Sequence, residues 1–299
     1  MKRLILFLFV LAGLTSCQEV INLKTETGPV RLVVDGWITD QPGAQRVRLT
    51  LSQNYFNNAA ARAATGATVS VTDDLGKIYA FVDEKGDGNY YWRPAGSEKI
   101  GRLGGKYTLK VGYANESYEA LTEIKRVPPI DSITYYYEKP TIAPDKGPKE
   151  GYVADFYGRD PVGAGDCYWI KTYKNGVRYD NTGQDITTAY DAGFSAGAAT
   201  DGLVFILPIR RAINVNKLFA EKDTIRVELY SVNLAAYYFL NAIKAEAGNQ
   251  GLFATAPANV QTNLNNVRAD GPKALGWFGA SAVSKLSTVV RKEDARPKP

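Results

Sequence analysis

The chain has no histidine among its 299 residues. Imidazole is the side chain whose ordinary pKa lies nearest neutral pH. Its absence excludes Ser-His-Asp and Cys-His nucleophilic centres and most zinc sites. Only carboxylate pairs, Ser-Lys arrangements or oxygen-ligated metals remain for catalysis. A large excess of one charge sign is also missing. There are 36 basic and 31 acidic residues, a formal charge of +5, with no long basic run. That excludes the basic stripe of a nucleic-acid binder. Arg291, Lys292, Arg296 and Lys298 gather at the end of the chain and read as a solvated basic tail. Long apolar runs are missing too. Leu4 to Leu14 gives 11 residues, against the ~20 needed to span a bilayer.

That run has a different use. Lys2 and Arg3 precede it, and Leu14-Thr15-Ser16-Cys17 follows it. A charged start, a short apolar core and small residues before a cut describe a secretory signal. Leu-Thr-Ser-Cys matches the bacterial lipobox, in which the cysteine sulfur takes a diacylglycerol and the chain is cleaved just ahead of it. The expectation is a signal peptide over 1–16, a lipidated Cys17 and a polar tether over 17–28. Several acyl chains, at ~0.8 kcal/mol per buried CH₂, make such a membrane anchor stable. Cysteine is otherwise nearly absent. With Cys17 modified, only Cys167 remains, and no intramolecular disulfide can form. Within Asp166-Cys167-Tyr168-Trp169-Ile170 it reads as a buried strand residue.

What is abundant points to β structure. The 19 tyrosines and 28 glycines stand beside a single methionine. Alternation of period two, the mark of a half-buried strand, runs through 45–53 (Val47, Leu49, Leu51), 67–72 (Val69, Val71) and 106–113 (Tyr107, Leu109, Val111). Strands are also read over 30–39, 77–83, 89–93 and 117–127. Residues 54–65 read as a loop or short helix. Short strands with polar turns at this spacing predict an antiparallel sandwich of immunoglobulin or transthyretin type over 29–127. Pro128-Pro129 cannot sit in a central strand and makes a stiff joint. A domain border is therefore placed there.

The second unit, 128–292, is expected to be a larger β-sandwich or barrel-like domain with one packed helix; the basic tail occupies 293–299. Strands are read over 132–139, 152–157, 167–173, 203–209 and 224–232, with Asn175-Gly176 as a two-residue hairpin turn. The polar stretch 181–201 reads as one long loop. Asn233 is an N-cap for a helix over 233–247, and Gly248 a stop. Leu234, Tyr237, Tyr238 and Asn241 follow helical spacing, Leu240, Ile243 and Ala247 extend the apolar side, and the aromatic face is expected to seal the β core. Residues 276–290 read as a closing hairpin or strand pair.

The candidate sites are modest. Gly193-Phe194-Ser195-Ala196-Gly197 has the form of a nucleophile elbow, but the elbow needs a strand, a helix and a histidine partner, so it reads as a glycine loop. Asp83 to Gly88 resembles a calcium loop, yet Lys85 and Pro94 stand where an EF-hand needs Asp or Asn and Glu. A tight turn is the reading, with a non-EF site on Asp83 and Asp87 left open. Tyr90-Tyr91-Trp92 and Tyr135-Tyr136-Tyr137 are mainly core, with ligand or partner contact open. Asp180, Asp185 and Asp191 are acid-base candidates without a sign of a shared pocket. No catalytic residue, metal or cofactor is assigned.

Taken in order, Val33-Val34-Asp35-Gly36-Trp37-Ile38-Thr39-Asp40, Gly66-Ala67-Thr68-Val69 with Asp73-Asp74, Gly105-Lys106-Tyr107-Thr108-Leu109 and Val127-Pro128-Pro129-Ile130-Asp131-Ser132-Ile133 form one set. Tyr237-Tyr238-Phe239, Leu252-Phe253 and Leu275-Gly276-Trp277-Phe278-Gly279-Ala280-Ser281 complete it. This set resembles the Bacteroidetes outer-membrane lipoproteins grouped as domain-of-unknown-function family 4249. The resemblance covers nearly all of the mature chain. It implies an outer-membrane protein held by lipid on Cys17, at the cell surface or on the periplasmic face. Members are typically encoded beside TonB-dependent receptors, which implies a receptor partner and a non-enzymatic accessory role in nutrient uptake, as substrate capture or lid. The alternative is a stand-alone surface binder of glycans or proteins. The resemblance names no ligand, and the family carries no catalytic residues to transfer.

Overall fold

Period-two patterns become strands in both halves of the chain. The computed structural model describes residues 28–54, 57, 59–142, 148–178, 182–191, 202–214, 218–249, 254–256 and 258–299. In chain order the first half gives β1 (Leu32–Thr39), β2 (Gln45–Leu51), β3 (Thr68–Asp73), β4 (Ile78–Phe81), β5 (Asn89–Trp92), β6 (Lys106–Tyr113) and β7 (Glu116–Glu123). The second half gives β8 (Ile130–Glu138), β9 (Gly151–Gly158), β10 (Cys167–Lys174), β11 (Val177–Arg178) and β12 (Thr187–Tyr190). The helix α1 (Leu207–Arg211), β13 (Thr224–Val232), the helix α2 (Leu234–Gly248), β14 (Asn265–Asn266), β15 (Leu275–Ser281) and β16 (Val283–Val289) follow. The protein is mainly β.

One sheet has the order β15-β1-β2-β5 and a second the order β14-β7-β6-β3-β4. Their inward residues share one core, including Val34, Ile38, Val47 and Leu49 from the first and Val71, Tyr107, Leu109 and Val111 from the second. This is the sandwich that alternation predicts. A third sheet runs β11-β10-β13-β16, with β12 also on β10. It packs on the β8–β9 hairpin through Tyr168, Ile170, Val227 and Leu229 against Tyr135 and Phe156.

The two halves are joined by more than the Pro128-Pro129 segment. β15 runs parallel to β1, from Val33 opposite Leu275 to Thr39 opposite Ser281. β16 runs antiparallel to β13. Only Ala282 separates them. The reading of 276–290 as a hairpin or mutually paired strands is thus corrected. One residue cannot reverse a chain, so a single extended run leaves the sandwich and enters the third sheet. The crossing is pinned at Ser231, whose hydroxyl accepts from the Ala282 amide at 3.0 Å and whose carbonyl accepts from Ser281 Oγ at 2.5 Å. At the start of β15, Gly276 has φ +90°, and a Cβ there would fall 2.0 Å from the Val34 carbonyl oxygen. Only glycine permits that approach.

Three further expectations change. Residues 203–209 are not a strand: Val204 makes one bridge to Arg159, and α1 begins at Leu207. Pro208 lacks the N–H a ladder needs, while its fixed φ suits a first helical turn. The stretch 181–201 is not all loop, because Thr187–Tyr190 pairs with Cys167–Ile170 and buries Ala189. The basic end is solvated only in part: Arg291, Lys292 and Lys298 are exposed, but Arg296 is half-buried. Arg296 pairs with Asp155 and donates to Tyr157 Oη at 2.8 Å, and Lys298 reaches Glu138 at 2.8 Å. The Arg296 amide also donates to the Tyr135 carbonyl at 2.9 Å. The hairpin's outward carboxylates draw the tail down. Asn175 and Gly176, at φ 52° and 80°, form the two-residue turn between β10 and β11 as the sequence indicates.

Candidate functional site

The outer face of the first sheet carries two of the four tryptophans, Trp37 and Trp277. On β1, Trp37 lies outward because Val34 and Ile38 face the core. Its indole N–H donates to Ser281 Oγ at 2.8 Å, and its ring meets Trp169 of β10 edge-on at 5.1 Å. The Lys171 ammonium stands 3.8 Å from the Trp169 ring centroid and 3.6 Å from that of Tyr230. Trp277, one strand over, is 8% exposed and stacks on Phe239 at 4.6 Å. These aromatics weld the sandwich, the third sheet and α2 together.

Helix α2 starts where Asn233 Oδ1 accepts the Ala236 amide at 2.8 Å, the capping bond its sequence predicts. Ala236 and Leu240 pack with Cys167, Ile186 and Val232. The opposite side remains open. Ala235, Tyr238, Phe239, Ala242, Ala245 and Glu246 follow helical spacing along it and face the segment 258–263 across a groove of about 640 Å³. That volume suits a small ligand. The far wall is rigid: Thr262 Oγ1 donates to the Gly276 carbonyl at 2.7 Å, and the Asn263 side chain bonds both the amide and the carbonyl of Phe278.

Trp277 contributes to the lining, and its Nε1 is buried without a hydrogen-bond partner. A buried orphan donor costs about 1–3 kcal/mol, so a ligand acceptor there would gain from relieving it. Tyr238 offers an exposed ring, 63% accessible, and Glu246, Asn259 and Gln261 supply polar groups. The site is therefore an aromatic groove with one carboxylate. The expectation that Leu234 and Tyr238 seal the core is corrected: both are exposed. Tyr237, Leu240 and Ile243 do pack on the core as expected, together with Ala236. The Ala235-Ala242-Ala245 stripe was the available sequence signal for a second, close-approach face.

The sequence candidates lie elsewhere. Cys17, Asp180 and Gly193 to Gly197 fall outside the described residues. Asp185 accepts from Thr182 Oγ1 at 2.5 Å, and Asp191 is buried and accepts the amides of Gly165 and Asp166. Neither lines the groove. Asp83 accepts the amides of Asp87 and Gly88, and Asp87 that of Asn89; these are turn bonds. Among the described residues no group of three or more His, Cys, Asp or Glu is placed to hold a metal. Tyr90, Trp92, Tyr135 and Tyr136 are buried, while Tyr137 is exposed. Cys167 is buried as expected. Burial pushes its thiol up to about 12, helped by the charges of Asp191 and Asp166.

The fold is a mainly β architecture in which a sandwich and the third sheet share one C-terminal strand run. The chain belongs to the family described as domain of unknown function (DUF4249), whose model matches residues 18–287. No curated protein matches it. Among the described residues no helix is long and apolar enough to cross a membrane.

Proposed function

We propose that the protein is a non-enzymatic outer-membrane lipoprotein that serves a TonB-dependent transporter as a substrate-capture or lid subunit. The observation that carries the binding role is the aromatic groove with its orphan Trp277 donor. The lipobox at Cys17 supports a lipid anchor, and membership of the family supports the setting beside a receptor. The tether 18–28 reaches about 40 Å at full extension, so the body stays close to the membrane and at high effective concentration near a neighbouring receptor. A binding role also accords with how the buried carboxylates are used. Asp155, Asp166, Asp191 and Asp223 each hold arginine, lysine or backbone amides.

The test is a mild-detergent pull-down from native outer membranes, followed by mass spectrometry. A near-stoichiometric TonB-dependent receptor supports the subunit reading. Recovery of the protein alone, where known receptor complexes survive, sinks it. A second reading, a stand-alone surface binder of glycans, is favoured by the exposed Tyr238 ring beside Asn259 and Gln261, since sugars stack on aromatics and bond to amides. Glycan binding lost in Tyr238→Ala but unchanged on removal of the receptor would select it.

A further inference from the structure

Away from the groove, the outward face of the β8–β9 hairpin gathers cations around a buried carboxylate. Asp155, 1% exposed, accepts from Arg211 Nε at 3.2 Å and pairs with Arg296. Glu138, the other acidic group in an ion pair on this face, is held by Lys298. The Arg210 guanidinium stacks 4.7 Å from the Tyr157 ring centroid, and Arg296 donates to the hydroxyl of that same tyrosine. No carboxylate among the described residues pairs with Arg210. Four cations thus meet two carboxylates, an excess of two positive charges.

The same place holds orphan donors. Arg210 Nε, Arg296 Nε and Thr134 Oγ1 are buried and have no hydrogen-bond partner. Thr134 stands directly across the ladder from Asp155. A buried polar atom without a partner is costly, and three beside one unbalanced set of guanidiniums share a simple remedy. A tetrahedral oxyanion accepts several hydrogen bonds, and guanidinium forks match its geometry. The arginines are only half-buried, so the face is reachable from solvent.

We infer that this face is a binding site for a doubly charged oxyanion of the phosphate class, with Arg210 and Thr134 as its specific contacts and Arg296 bringing the C-terminal tail to it. The inference is independent of the transporter reading. The dianion balances the two surplus charges, which a single carboxylate would not.

The experiment is titration of the mature chain, in mild detergent, with inorganic phosphate, followed by calorimetry and thermal melting. Saturable binding is expected, with sulfate competing and chloride not. Arg210→Gln, which breaks no ion pair, should weaken phosphate binding at least tenfold while the phosphate-free chain keeps its cooperative melt and its circular dichroism. Thr134→Val should raise the phosphate-free melting temperature, because an orphan hydroxyl is gone, and still weaken phosphate binding. No saturable binding by about 10 mM phosphate, equal competition by chloride, or affinity indifferent to Arg210→Gln would each overturn the site.

Discussion

A Cβ added to Gly279 would stand 2.6 Å from the ring of Trp37, so the indole occupies the space of the missing side chain. This contact seats Trp37 against Trp169, where the sandwich meets the third sheet. Gly279→Ala should therefore cost about 2 kcal/mol by overpacking, read by urea denaturation, with a change in tryptophan emission. Combined with Trp37→Leu, the loss should be smaller than the sum of the single changes, because the two residues share one space. Strict additivity would show that the contact does not matter.

Cys167 should be silent in the folded protein. Its thiol, pushed up to about 12 by burial, carries almost no thiolate at pH 8, and the thiolate is the reactive form. Ellman's reagent should react slowly with the native chain and rapidly, with one equivalent, in denaturant. Two equivalents in denaturant would mean that Cys17 is free and would remove the lipid anchor.

Asp223 should make stability depend on acid. Burial pushes its carboxyl up, but hydrogen bonds from Lys174, the Ala220 amide and Asn175, with the charge of Lys174, outweigh that and hold it below the usual range. A folded pKa below the unfolded value of about 3.9 gives stability that is complete above pH 4 and lost as pH falls through the folded value. Asp223→Asn should cost about 2 kcal/mol at pH 7. Its deficit should shrink below pH 4 in denaturation curves taken across the range. A deficit constant with pH would contradict the assignment.

Deleting residues 291–299 should destabilise the hairpin layer. It takes Arg296 from the buried Asp155, Lys298 from Glu138, and the Arg291 and Arg296 amides from Tyr135. Partial loss of partners for a buried carboxylate suggests about 3 kcal/mol, seen as a lower melting temperature. An unchanged melt would show that the Arg296 and Lys298 contacts add no stability.

Much of the local structure was legible. Val47, Leu49, Tyr107 and Leu109 announced their strands because a half-buried strand needs period two and little else. The Asn233 cap and the Asn175-Gly176 turn were readable because each depends on backbone bonds within a few residues. The groove was less so. Tyr237 and Tyr238 both fit helical spacing, and spacing shows that a helix has faces without saying which one a sheet will cover.

The sequence by itself determined the absence of histidine chemistry, the match of Leu14 to Cys17 to a lipobox pattern, the family, most strands and the burial of Cys167, since composition and short-range patterning suffice for these. Only the tertiary structure decided that β15 pairs with β1 more than two hundred residues away, that Ala282 carries the chain between sheets, that Arg296 closes on Asp155, and that Trp277 forms part of an open groove. The physical reason is the same in each case. Alternation states which side of a strand is buried, but the partner is chosen by long-range packing and charge, and those are set only when the whole chain has folded.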